Sequence, residues 1–310
     1  MKNIFITGAT GFIGSSMVDY FSKDNIVFCM VRPSTGKQMK FANKNIFPIF
    51  CDLNDITISE LEDCDIIINC AACTNPDANF KEFIETNIEG TNNLIKVAKS
   101  AGVKKFIHIS SEVVVFQNCS ILNGDEKLPY SKIKKCPYTF TKKESEKAVI
   151  NSNIPNVFET IVFRPRLVWG DGDTSFLPGL LDISKKILIT NNGQNKTSTT
   201  HIRNLIHGVE LAINTKYNGQ IYFITDDFDI SYKDFIEKSL LVYGVIPNFI
   251  NYKNYQLLTL NLFNNLINHF NRKNSISKSL FYLDLFRYNC TFSINKIKKE
   301  LNYFPIVSNH

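Results

Sequence analysis

Residues 3–14 read NIFITGATGFIG, a short apolar run followed by three glycines, Gly8, Gly11 and Gly14, at a constant step of three. An apolar strand that breaks at a glycine and resumes as a helix has the layout of a dinucleotide-binding turn. Gly8 permits the tight bend, Gly11 lets backbone N–H groups approach a pyrophosphate, and Gly14 lets helix and strand pack closely. The helix N-terminus adds a partial positive charge facing the phosphates. Thr10, Phe12 and Ile13 complete the turn and join the glycines as candidate cofactor-binding residues.

Working outward, the same alternation repeats. IVFCMV, IFPIFC, DIIINC and KKFIHIS are nearly continuous apolar runs, the mark of strands buried on both faces of a parallel sheet. Helical spacing fills FIGSSMVDYFSK, FKEFIETNIEGTNNLIKVAKSAG and YTFTKKESEKAVI, and VFETIVFRP supplies a sixth strand. The expected class is α/β, a Rossmann-type doubly wound parallel sheet with a smaller C-terminal substrate-binding lobe. Residues 1–165, together with about 196–225, are expected to form the dinucleotide-binding domain. Residues 166–195 and 226–310 are expected to form the lobe.

The 310 residues carry a net charge of +6, and the lysines are scattered rather than gathered in a stripe, so nucleic acid is not an expected partner. Eight cysteines fall irregularly, several inside apolar runs, which suits reduced thiols in a cytoplasmic protein. CAAC at 70–73 has the spacing of half a zinc or redox site, but no second pair accompanies it and no metal is expected. No signal segment is expected ahead of the first strand. Residues 254–270 put Tyr255, Leu258, Leu262, Phe263, Leu266, Ile267 and Phe270 on one helical stripe. Packing over the core or the substrate pocket is the favoured reading. Membrane-surface contact is the alternative, and the polar face lacks the Lys/Arg density it would use.

Further candidates lie at strand ends. After the second strand, where an acid commonly holds the ribose 2′-OH of NAD, stand Val31 and Arg32. Arg32 suits a 2′-phosphate and so favours NADP over NAD, unless it is a solvated surface residue. Asp52, followed by Leu53, either accepts from an adenine amino group or caps the next helix. Tyr138 and Lys142 in YTFTK share one helix face. Tyrosine ionises near pH 10, too high for proton exchange at neutrality, and a neighbouring ammonium or nicotinamide cation favours the phenolate. The pair is therefore expected to serve an alcohol/ketone couple as acid or base.

Together TGATGFIG, CDL, CAA, TNIEGTNNLI, KKFIHISS, PYTFTKKESEKAV and FRPRLVWGDGD resemble the extended short-chain dehydrogenase/reductase superfamily, over the first 175 residues in order. Within this NAD-dependent epimerase/dehydratase group the chain is most similar to the 3β-hydroxysteroid dehydrogenase and dihydroflavonol-reductase-like branch, through RPRLVWGDGDTSFLP, HIRNLIHGVELAI and CTFSINKIKKELNYFP. The resemblance implies a Ser that orients the substrate oxygen, here Ser111 beside Ser110, and a helical Asn, here Asn87, completing a tetrad with Tyr138 and Lys142. It implies further cofactor contacts at Ala71 and Ala72, and a homodimer through the helices holding Asn87 and Tyr138. In place of the family's aromatic-Gly pair after the Ser, the chain reads SSEVVVFQ.

Sugar-nucleotide epimerases and dehydratases share the scaffold and are the competing reading. Many carry Asn three residues after the Arg that ends the sixth strand; counting from Arg164, that position is Leu167. Leu167, Trp169 and Phe176 are instead expected to line an apolar pocket for a sterol-, lipid- or flavonoid-like small molecule. A non-catalytic NADP sensor is a third reading, disfavoured because a sensor has no use for Ser111, Tyr138 and Lys142 together.

Overall fold

Seven strands form one all-parallel sheet: β1 (Asn3–Thr7), β2 (Ile26–Val31), β3 (Ile46–Phe50), β4 (Ile66–Asn69), β5 (Lys105–Ile109), β6 (Glu159–Pro165) and β7 (Gln220–Ile224). Their spatial order is β7-β6-β5-β4-β1-β2-β3, with the chain reversing its winding direction between β1 and β4. The structure is a computed structural model and describes residues 1–33, 43–75, 78–134, 136–252 and 285–307. The 254–270 stripe lies outside the described residues.

Buried on both faces, β1, β4 and β5 are apolar almost throughout. β3 is one of the two edge strands, and it alone among the seven carries a proline in mid-strand, Pro48, whose missing N–H costs no ladder bond there. Helices α1 (Phe12–Phe21) and α6 (Ile202–Asn214) cover one face over Ile4, Ile6, Met17, Val18, Leu205 and Val209. The other face packs Phe5, Ile67, Leu94, Phe106, Val149 and Phe158 beneath α3 (Gly90–Ser100) and α4 (Pro137–Asn151).

The helix predicted over 80–100 is continuous but irregular. α2 (Phe80–Phe83) opens with an Asn79–Glu82 capping box and passes through a π-helical turn, Ile84–Glu89, before α3. Such turns insert one extra residue and recur at functional sites. Gly102, at φ +77, ends the helix.

Beyond the sheet, α5 (Phe176–Ile183) and α7 (Tyr232–Leu241) pack on one another around Leu180, Ile183, Tyr232, Ile236 and Phe286, a separate apolar cluster. Among the described residues no helix is long and apolar enough to cross a membrane.

Candidate active site

The glycine turn is shaped by close backbone approaches. Gly8 sits at φ +66, and a Cβ there would lie 2.9 Å from the Ala71 nitrogen. A Cβ on Gly14 would lie 2.1 Å from the Gly8 carbonyl oxygen, so α1 can meet β1 this closely only without a side chain. Gly11 is exposed, donates its N–H to Gly8 O at 3.0 Å, and opens toward solvent at the start of α1. That cradle fits a pyrophosphate. Phe12 and Leu53 bury their side chains in the two core clusters, so each offers a ligand its backbone only. Ala71 and Ala72 follow β4 at the same sheet edge, half-buried.

Under the turn runs a polar ladder that sequence reasoning missed. Thr7 Oγ1 accepts from Ala71 N at 3.1 Å and donates to Asn69 Oδ1 at 2.6 Å, and Asn69 Nδ2 lies 3.1 Å from His108 Nδ1. Burial, then the charge of Lys142, holds His108 well below the usual histidine range and therefore neutral. Its signal in the sequence was a polar residue at the C-terminal end of three otherwise apolar strands.

Val31 and Phe50 are paired in register, so Arg32 and Asp52 leave neighbouring strands at this same edge. Arg32 is exposed and close enough to Cys73 to act on its thiol. Asp52 is half-buried in a turn, its Oδ1 3.4 Å from Asn54 N, and caps no α-helix.

Tyr138 and Lys142 stand one turn apart on α4, whose first residue is Pro137, a residue pre-set for a helix start. The Lys142 side chain is buried, and Nζ donates to the Ile109 carbonyl at 2.7 Å. Burial pulls its pKa down to about 8, with Glu146 opposing. Burial first, and the Glu112 carboxylate second, raise the pKa of the Tyr138 phenol well above the ordinary value. The protein's own groups therefore favour the neutral phenol, while the sequence reading set the Lys142 ammonium and the nicotinamide cation on the side of the phenolate.

The two serines separate cleanly. Ser110 donates to Glu146 at 2.5 Å beneath α4, and Glu146 pairs with Arg164. Ser111 is the hydroxyl that neighbours Tyr138. Asn87 is buried in the π-helical turn, with its amide fully used. It accepts from Cys73 N at 2.7 Å and donates to Cys73 O at 3.2 Å and Thr141 Oγ1 at 2.9 Å. Through these bonds it ties the loop after β4 to α4 at the residue before Lys142.

A second feature absent from the sequence reading is an ion pair between buried Glu112 and buried Arg166, 54 residues apart. Arg166 also donates to Tyr232 Oη at 2.6 Å, which joins the Ser111 neighbourhood to the apolar cluster of the lobe. Leu167, at φ +43, and Phe176 pack against that cluster. Phe176 stacks on Phe235 at 5.8 Å, and Trp169 meets Phe235 edge-on at 6.5 Å. Trp169 is further fixed by its indole N–H, which donates to Asp226 at 2.8 Å, and by His201 at 4.6 Å. Its polar edge is therefore taken, and only its ring remains for a ligand. Burial pushes the Cys70 thiol up to about 12, keeping it protonated. Among the described residues no His/Cys/Asp/Glu group is arranged to hold a metal.

Comparison with known proteins shows the family and the fold. The model of the 3-beta hydroxysteroid dehydrogenase/isomerase family matches residues 5–251. A Stigmatella aurantiaca 4-hydroxy-2-methyl-3-oxo-4-farnesyl-3,4-dihydroquinoline-1-oxide ketoreductase is 32% identical over 246 residues, 78% of this chain and 73% of that protein. The decarboxylating sterol-4-alpha-carboxylate 3-dehydrogenase of Dictyostelium discoideum is 30% identical over 259 residues, 80% of this chain and 78% of that protein. The solved UDP-glucuronic acid 4-epimerase of Bacillus cereus, in complex with UDP-glucuronic acid and NAD, superposes with a TM-score of 0.76 at 22% identity, covering 99% of this chain and 95% of that one. At that identity the likeness is one of fold.

Proposed function

Because the chain belongs to the 3-beta hydroxysteroid dehydrogenase/isomerase family, and is thereby an NAD(P)-dependent oxidoreductase, we propose that it interconverts a ketone and a secondary alcohol on a hydrophobic substrate. The supporting observation is the convergence of Ser111, Tyr138 and Lys142 beside a polar link, Arg166, that ends on the apolar cluster holding Leu167 and Phe176. A sterol-, lipid- or flavonoid-like molecule suits that cluster.

A nicotinamide held at this sheet edge would supply the hydride exchanged with the substrate carbon. Tyr138 gives its proton to the oxygen of a ketone during reduction and takes one from the alcohol in the reverse direction. Ser111 orients the reacting groups. Lys142 keeps a positive charge beside Tyr138 and joins Gly8, Gly11, Gly14, Ala71, Ala72 and Asp52 in holding the cofactor. We assign NADP as the preferred form because Arg32, not an acid, follows β2. Residues 1–165 with about 196–225 then act as the cofactor-binding domain, and the remainder as the substrate lobe. A cytoplasmic setting suits the free cysteines, and a homodimer through the continuous helix that holds Asn87 and through α4, which holds Tyr138, is the assembly proposed.

The test is oxidation of NADPH and NADH with a panel of cyclic ketones, aldehydes and UDP-sugars. Hydrophobic ketones should be reduced, and Tyr138→Phe should lower that turnover by about 10²–10⁴-fold while the fold and cofactor binding persist. Near-normal turnover by Tyr138→Phe sinks the mechanism, and epimerisation of a UDP-sugar without net cofactor oxidation hands the site to the competing reading.

A further inference from the structure

Asp226 stands two residues beyond the end of β7 and is only 5% exposed, where an ionised carboxylate needs donors in place of water. Four donors converge on it. Oδ2 accepts the Trp169 indole N–H and the Thr199 hydroxyl, each at 2.8 Å. Oδ1 accepts His201 N–H at 2.6 Å and Asn204 Nδ2 at 2.7 Å.

These bonds aim the indole. Val168–Trp169 pairs in register with Thr200–His201, so Asp226 grips the side chain of one segment and the backbone of its neighbour. The His201 ring meets the indole edge-on at 4.6 Å, and Phe235 of α7 does so at 6.5 Å. Since Phe235 stacks on Phe176, the half-buried Trp169 ring extends the aromatic cluster of the lobe. Asp226 is braced in turn. Asn204, fully buried, donates to Val307 O at 2.8 Å and accepts from Ile306 N and Val307 N at 2.8 and 2.9 Å. Tyr303 Oη donates at 3.1 Å to the carbonyl of Thr225, the residue before Asp226.

Resting on the reading of a hydrophobic substrate held against Trp169, we propose that Asp226 is a specificity-determining positioning residue that acts through Trp169. Its carboxylate locks the indole plane as one wall of the substrate site, and Asn204 carries that constraint to residues 303–307. A wall ordered before the substrate arrives does not have to be ordered by binding, and that preorganisation favours molecules whose shape matches it.

The experiment reads Trp169 emission and ketone kinetics together. Because the chain contains a single tryptophan, emission excited at the red edge of absorption reports on Trp169 alone. In Asp226→Asn the amide oxygen stays with His201 N–H, and Nδ2 turns to Thr199 and Trp169. The Thr199 hydroxyl can reverse and accept, whereas an indole N–H only donates, so the substitution releases Trp169. Trp169 anisotropy should fall. KM for 4-alkylcyclohexanones should rise about three- to ten-fold, the scale of one lost hydrogen bond, with kcat falling less. Unchanged anisotropy, or a released indole with unchanged KM, overturns the proposal. Where Asp226→Asn does not fold, the unmodified protein decides. Adding 4-butylcyclohexanone to it with saturating NADP⁺ should quench or shift Trp169 emission, and its time-resolved anisotropy should lack a large sub-nanosecond component; failure of either overturns the proposal. The parent reading fails separately, through an unmodified protein that reduces no 4-alkylcyclohexanone while its Trp169 anisotropy still shows the tether.

Discussion

Lys142 Nζ lies 2.7 Å from the carbonyl oxygen of Ile109, the last residue of β5, so the ammonium one turn beyond Tyr138 is fastened to the end of the sheet. Buried charge is costly, and the cost appears as a pKa pulled from 10.5 down to about 8.

The first prediction follows from that shift. If the charge on Lys142 is needed, kcat should fall as pH rises through about 8. The stability effect has a definite sign. Between about 8 and 10.5 the unfolded chain binds a proton at Lys142 that the folded chain does not, so in that window stability contributed by this site rises with pH. Below it, the penalty is fully present. Lys142→Met should therefore be inactive yet melt at or above the wild-type temperature at pH 7, with the difference shrinking between pH 8 and 10. A Lys142→Met protein that melts well below wild type at pH 7 contradicts this.

Gly14→Ala places a methyl 2.1 Å from Gly8 O, a clash with backbone that no rotamer relieves. Overpacking of this kind costs about 1–3 kcal/mol or more. Lower melting temperature and loss of dinucleotide binding should appear together, by thermal melts and by quenching of NADPH fluorescence. Gly11→Ala, whose nearest neighbour would be Gly8 O at 3.4 Å, should leave the melt nearly unchanged while weakening binding.

Cofactor choice is tested at Arg32. Its replacement by Ala should weaken NADPH about ten-fold or more, the scale of a lost hydrogen bond to a charged group, and leave NADH unaffected. Equal affinities for the two cofactors in the unmodified protein, unchanged by the substitution, would remove the NADP assignment.

For the pocket, a series of 4-alkylcyclohexanones should show kcat/KM rising several-fold per methylene until the site fills, since each buried CH₂ contributes about 0.8 kcal/mol. UDP-sugars should not compete. Replacing Phe176 with Ala should flatten the series, because Phe176 stacks on Phe235 within the same aromatic cluster.

How much of this was readable beforehand depends on the range of the interactions. The glycine turn, the six opening strands and the Tyr138–Lys142 pair are short-range patterns, set by periods of two, three or four residues, and they appear where the pattern put them. Glu112 and Arg166 are 54 residues apart, and nothing local in SSEVVVFQ marks its glutamate as buried rather than solvated. Thr7, Asn69 and His108 become a ladder only when the order β5-β4-β1 sets them side by side. Asn87 was found as a residue but not as a tie, since its partners Cys73 and Thr141 come from two other segments. The raising effects of burial and of Glu112 on Tyr138 could not be read beforehand, since both are tertiary facts.

The π-helical turn at Ile84–Glu89 also fixes a rotational phase. Each residue of an α-helix advances about 100° around the axis. Deleting a single residue there would give a more regular and locally more stable helix. It would also swing everything before the deletion by that angle relative to α3. Phe83, edge-on to Tyr138 at 6.5 Å, and Phe80, against Phe140 at 5.8 Å, would then lose their partners on α4. One surplus residue thus works as a spacer in angle rather than in length, and a variant selected for helical regularity would gain hydrogen bonds while misaiming the aromatic wall beside the phenol.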